Sequence, residues 1–255
     1  IMSTRKAFRD LIIVTTVTLI GFFLAYIYLY GRGRFTNSYE KVVDPLGSQF
    51  LVIQRVSNVS DFQNNFASEV STLPNVQLAY FFQLPDQSWE ELLDKILTHL
   101  KNLNDPPATF ISITAYTKGI EHKLIERIKN AKTLSRVFFH SPHENVAREI
   151  HRELPTVPLV VSRAEASRLY LMSTLKLEAL PRLEGQIFWA DFIKEENNFS
   201  LNLLNELKKR HVPTLFGPAN NEVQWKRLID LKFSGIITDD APKMISWLKT
   251  RQNQQ

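Results

Sequence analysis

Six histidines and no cysteine set the first limits on what this chain can do chemically. His140-Ser141-Pro142-His143 is the one place where two histidines stand close together. Such a pair could take part in holding a metal or a ligand, but two imidazoles do not complete a metal shell. The plainer reading is a solvated loop at a strand end that leads into a helix cap. His99, His122, His151 and His211 fall in predicted helices and read as surface residues. Arg55 could grip a phosphate or carboxylate in a two-pronged hydrogen bond, or form a structural ion pair. Asp239 and Asp240 stand together after an apolar run and could serve a site or cap the following helix. No pair of carboxylates suggests glycosidase work, and no serine lies in GxSxG. The absence of cysteine excludes disulfides, thiolate zinc sites and thiol nucleophiles. Neither GxGxxG nor GxxxxGK[ST] is present, and Gly31-Arg32-Gly33-Arg34 follows no predicted strand, so it reads as linker.

The formal net charge of +5 is spread along the chain without a block of five like charges, which argues against a nucleic-acid partner. Residues 11–30, LIIVTTVTLIGFFLAYIYLY, carry no charge and are long enough to cross bilayer hydrocarbon as a helix. A cleaved signal peptide would have a shorter apolar region and a small-x-small site, whereas this run ends in tyrosines and arginines. The expectation is an N-terminal tail over 1–10, a transmembrane helix over 11–30, a linker over 31–48 and a globular part over 49–255. Arg5, Lys6 and Arg9 precede the span, and Arg32, Arg34 and Lys41 follow it. The tighter first cluster favours a cytoplasmic N-terminus and a globular part on the outer side. Asn58 and Asn198 stand in N-x-S triplets, a pattern that also arises often by chance.

From residue 49 onward, short apolar runs alternate with amphipathic segments, which argues for βα units and a parallel sheet. The runs lie at 49–54, 76–82, 108–115, 136–140, 157–162, 186–190, 212–217 and 234–238, eight in all. The clearest helix is 88–103, with Ser88 and Glu91 in capping-box spacing and an apolar stripe from Trp89 to Leu103. Helices are also predicted over 202–211 and 222–232. Eight such units predict an α/β fold closed as a (β/α)8 TIM barrel. The alternative, an open doubly wound sheet, would bind a nucleotide through a glycine-rich first turn that this chain lacks. In a barrel, functional groups sit where strands end. That rule alone selects Arg55, Tyr116, His140, Ser141, Ser162, Asp191, Gly217 and Asp239.

GIITDDAP, residues 235–242, resembles the final strand motif of the glycerophosphodiester phosphodiesterases. Residues 203–242 resemble that family's last two βα units, with Asn220 in place. Residues 134–171 resemble its middle, where Ser141 matches a serine while Pro142 and His143 replace phenylalanine and aspartate. The resemblance spans most of 49–250 and is faint in the first half. The family opens with H-R-G and then E-N-T; here Gln54-Arg55-Val56 and Gln63-Asn64-Asn65 stand in those places. It implies that the catalytic histidine is replaced by Gln54 and a metal-binding glutamate by Gln63. The second strand carries no E-x-D pair, the segment bearing a second catalytic histidine is missing, Ser112 stands for a third-strand glutamate, and Gly217 for a late tryptophan.

The family's reaction needs a divalent cation held by carboxylates and histidines that move protons. A glutamine amide does neither. The resulting expectation is a membrane-anchored pseudoenzyme: a binding or scaffolding subunit of a membrane complex, without metal or cofactor, partnered by an integral membrane protein. An active phosphodiesterase or lipid-headgroup binder with a rebuilt site is the alternative. Candidate ligand-binding residues are Arg55, Asn64, His140, Ser141, His143, Asn220 and Asp239. A polar mouth with Arg55, His140 and Asp239 converging would favour the alternative. A mouth filled by Phe81, Phe82, Phe138 and Tyr116 would favour the pseudoenzyme.

Overall fold

The computed structural model describes residues 2–35, 49–56, 73, 75–84, 88–103, 106–114, 119–131, 136–175, 177, 181, 183–191 and 201–252. Asn58, Gln63, Asn64, Tyr116 and Asn198 lie outside them, as does most of the expected linker.

A first helix, α1, runs Met2–Phe35, so helix covers most of the expected tail and the start of the expected linker. Only glycines interrupt its composition near the end, and each costs a helix about 1 kcal/mol relative to alanine, too little to stop it outright. Where its side chains are described, at 11–26 and 28, they are exposed, Phe22 at 71%. Among the described residues no helix is long and apolar enough to cross a membrane.

Among the described residues seven parallel strands follow: β1 (Phe50–Val56), β2 (Val76–Leu84), β3 (Thr109–Ile113), β4 (Val137–His140), β5 (Phe188–Asp191), β6 (Thr214–Gly217) and β7 (Gly235–Thr238). Their order is β4-β3-β2-β1-β7-β6-β5. The predicted fifth strand, 157–162, forms only two single bridges, Leu159 with Phe139 of β4 and Val160 with Ile187 beside β5, both parallel. Pro158 explains the shortfall, since proline has no N–H to give to a ladder. Backbone bonds still run through this seam, from Phe139 N to Pro158 O, Val160 N to Phe139 O and Val161 N to Ile187 O. The pairings therefore make a full circuit, in a TIM-barrel-like arrangement of parallel strands.

Between the strands lie α2 (Trp89–Lys101), α3 (Ile120–Ala131), α4 (Glu144–Glu153), α5 (Arg163–Thr174), α6 (Leu201–Lys209) and α7 (Glu222–Asp230), and α8 (Ala241–Gln252) closes the chain. In α2 the buried Trp89, Leu93, Ile96, Leu97 and Leu100 follow helical spacing. The capping box expected at its start does not form. Ser88 has φ 63, a left-handed backbone instead of the extended one a cap needs. Glu91 meets Lys95 one turn on at 2.6 Å instead. The capping box of this fold lies at α5, where Ser162 and Glu165 exchange bonds.

Alternation along the strands separates the core into layers. Leu51, Ile53, Ala79, Phe81, Phe110, Phe138, Val160, Ile187, Leu215 and Ile237 fill the barrel. Phe82, Ile111, Phe139 and the helices of the first half make a second cluster. Val52, Phe188, Phe216, Trp225 and the helices of the second half make a third.

Candidate functional site

At the C-terminal ends of β1 and β7 a polar network gathers. Arg55 donates from Nε to Asp239 Oδ1 at 2.6 Å and from Nη2 to Asp239 Oδ2 at 3.1 Å. Asn220 donates from Nδ2 to the same Oδ2 at 2.5 Å, and its Oδ1 accepts from Asp239 N at 2.9 Å and from Thr238 Oγ1 at 3.2 Å. Arg55 and Asp239 are each about two-fifths exposed, so the pair itself adds only about 1 kcal/mol or less. Asp240 takes the other role foreseen for these carboxylates, accepting from Lys243 N at the start of α8.

Gln54 points elsewhere. Its Oε1 accepts from Ala241 N at 2.7 Å, and its Nε2 donates to Asp239 O at 2.7 Å and to Arg55 O at 3.0 Å. Both ends of the amide thus clasp backbone of the β7–α8 turn.

Across the mouth, Gln83, Ser112 and His140 lie in register on β2, β3 and β4. Ser112 Oγ and His140 Nδ1 are 2.9 Å apart. Trp189 packs edge-on against His140, with ring centroids 4.9 Å apart, and equally close to Phe81. Below them Phe110 stacks on Phe138 at 4.8 Å. The floor is therefore aromatic and the rim polar. Phe81 and Phe138 point inward as expected, whereas Phe82 belongs to the outer layer.

His140 and His143 do not form a pair. His143 Nε2 meets Thr114 O at 3.2 Å, and Ser141, buried, accepts from His143 N through Oγ. His143 does occupy the N-cap position of α4, but its side chain makes no capping bond. Ser162 caps α5, the backbone of Asp191 ends β5, and Gly217 ends β6 against Ile237, where a Cβ would come within 2.7 Å of Ile237 Cβ. Among the described residues no hydrogen bond joins His140 to the Arg55–Asp239 network, so the convergence that would favour a rebuilt site is only partial. Sequence reasoning missed Trp189 as a mouth residue because it looked to strand ends. The inward phase of β5, set by Ile187, would have found it.

Packing against these rings desolvates His140 and pushes its pKa down to about 4, so the imidazole is neutral at physiological pH. In the unfolded chain it titrates near 6.5. Between these values the unfolded state holds more protons. The stability linked to His140 is thus complete above about pH 6.5 and is lost as pH falls towards about 4. The difference is on the order of 3 kcal/mol. Urea midpoints should fall over that window, and His140→Gln should flatten the fall. An equally steep fall in the variant would assign the acid sensitivity to other groups.

The described part of this mouth offers a divalent metal few ligands. Asp239 is engaged by Arg55 and Asn220, and the ends of β2, β3 and β4 offer an amide, a hydroxyl and an imidazole. Among the described residues no group of three histidines, cysteines or carboxylates could hold a metal.

Parallel strands, intervening helices and a polar rim at the strands' C-terminal ends define a TIM-barrel-like α/β protein. Among solved structures the chain is similar to glycerophosphodiester phosphodiesterases. A Galdieria sulphuraria structure assigned to that group matches with TM-score 0.58 at 10% identity, over 79% of this chain and 97% of the other. One from Silicibacter pomeroyi matches with TM-score 0.54 at 12% identity, over 76% and 90%. A third, from Parabacteroides distasonis, gives 0.50 at 14%, over 63% and 64%. No family model matches the sequence, and no curated protein does. At such identities the likeness establishes the fold: the barrel is glycerophosphodiester phosphodiesterase-like.

Proposed function

We propose that this chain is a catalytically inactive, glycerophosphodiester phosphodiesterase-like barrel, held to a membrane by residues 11–30, that serves as a binding subunit of a membrane complex. The observation that carries this reading is the commitment of the mouth to its own structure. Gln54 clasps the β7–α8 turn, and Arg55 is gripped at both prongs by Asp239. A phosphodiester would have to displace that carboxylate, and His140 beneath Trp189, with its pKa pushed down to about 4, is a weak proton acceptor. The exposed apolar side chains of α1 support the anchor, and the tighter basic cluster before it supports a cytoplasmic N-terminus with the barrel outside.

The test uses full-length protein in membranes. After alkaline carbonate washing the protein should remain bound. With glycerophosphocholine and related diesters, in magnesium, calcium or manganese, it should release no more product than protein-free membranes. Turnover that disappears in Arg55→Ala or His140→Ala would instead establish a rebuilt active site.

A further inference from the structure

Away from the mouth, a cavity of about 550 Å³ opens between α6 and α7 on the outer face of the barrel. Leu201 and Leu204 form one wall, Val223 and Leu228 the other, with Phe216 and Phe233 also lining it. Outside α1, only four large apolar side chains are strongly exposed among the described residues, and two of them, Leu201 at 62% and Val223 at 79%, are lips of this groove. Isolated exposed leucines need no explanation, but two on facing lips of one apolar trough do. The charge around it has a positive excess. Lys226 and Arg227 line it beside a single carboxylate, Asp230. At its far end Lys208 donates to the carbonyl of Leu231, itself a lining residue, at 3.4 Å. Lys208 titrates below the ordinary lysine range, through partial desolvation first and then through the neighbouring charge of Lys232. Positive charge is thus concentrated along an apolar slot.

We propose that this groove receives an amphipathic helix of a partner protein, apolar on the inserted face and acidic on its flanks. This rests on the reading of the barrel as a binding subunit. Both walls are helices, and α6 at nine residues offers about 13 Å of contact, enough for between two and three turns of an inserted helix with apolar side chains at i, i+3 or i+4, and i+7. An acyl chain sunk in the floor would leave Leu201 and Val223 uncovered, whereas a helix lying across the lips covers both. The basic rim would speed encounter with an acidic partner and reject a basic one.

The test takes full-length protein in zwitterionic nanodiscs and two fluorescent 18-residue helical peptides. Both carry leucines on one face; one has glutamates on its flanks, the other lysines. Anisotropy should show the acidic peptide binding at least tenfold more tightly than the basic one. Leu201→Asp with Val223→Asp should weaken it at least tenfold, as should Lys226→Glu with Arg227→Glu. These side chains are exposed, so the variants should fold, which circular dichroism checks. Equal affinity for the two peptides, or undiminished affinity in the variants, overturns the proposal. So does displacement of the peptide by phosphatidylglycerol vesicles at lower concentration, which would make the groove a lipid site, or self-association that the same variants abolish. Failure here with no diesterase turnover removes the groove alone. Turnover would remove the binding-subunit reading independently.

Discussion

Gly185→Ala is expected to destabilise the barrel by about 4 kcal/mol or more, near the limit of what a domain of this kind survives. A Cβ at this position would fall on the Cα and N of Val161 and within 2.8 Å of the carbonyl carbon of Val160. These are backbone atoms, so no side chain can rotate aside. The seam between β4 and β5 would have to part, and it is held by single bridges at Leu159 and Val160. Overpacking of an ordinary core position costs about 1–3 kcal/mol, and here the obstacle is less yielding. Equilibrium urea unfolding would measure it. A loss below about 1 kcal/mol would mean that the seam tolerates expansion and that the close approach is incidental.

Glu165→Ala should cost nearly as much, about 3–5 kcal/mol, from the same region. The carboxylate is buried, and its Oε2 accepts from Ser162 N at 2.8 Å. Its Oε1 accepts from Gly185 N at 3.3 Å and also from Glu184 N. One side chain therefore ties the start of α5 to the strand entering β5. Alanine would leave three backbone donors without this acceptor, each worth about 1–3 kcal/mol when buried and unmet. Glu165→Gln keeps one acceptor oxygen and should fall between alanine and wild type. If glutamine proved as damaging as alanine, the loss would come from the charge and not from the bonds. The comparison is informative because Ser162 still offers its hydroxyl to the N–H of residue 165 in both variants.

Much of the fold was legible because parallel strands buried on both faces read as apolar runs, and seven of the eight expected runs became strands within a few residues. The eighth, VPLVVS, has the right composition, but its pairing is limited by Pro158, a backbone matter that hydrophobicity does not register. Arg55 and Asp239 were found because strand ends point at the mouth, and Asn220 through the resemblance of residues 203–242 to the phosphodiesterases. His140 and His143 looked like a pair in sequence yet face different partners, since they straddle the end of β4. Glu165 and Gly185 could not be found. Their importance arises from an approach between segments about twenty residues apart that no local pattern encodes. Gln54 reads in sequence only as a missing histidine, whereas in the structure it has an employment of its own.

That employment bears on the order in which the molecule can assemble. The bonds of Gln54 and Arg55 to Asp239 and Ala241 bridge sequence separations of 184 to 187 residues. They join β1 to the turn after β7 and cannot form on a ribosome until residue 241 has emerged. Closing so long a loop carries a large entropic cost, and contacts of high sequence separation come late and slowly. The side chains at the place where a catalytic centre would open are the ones that mark completion of the ring.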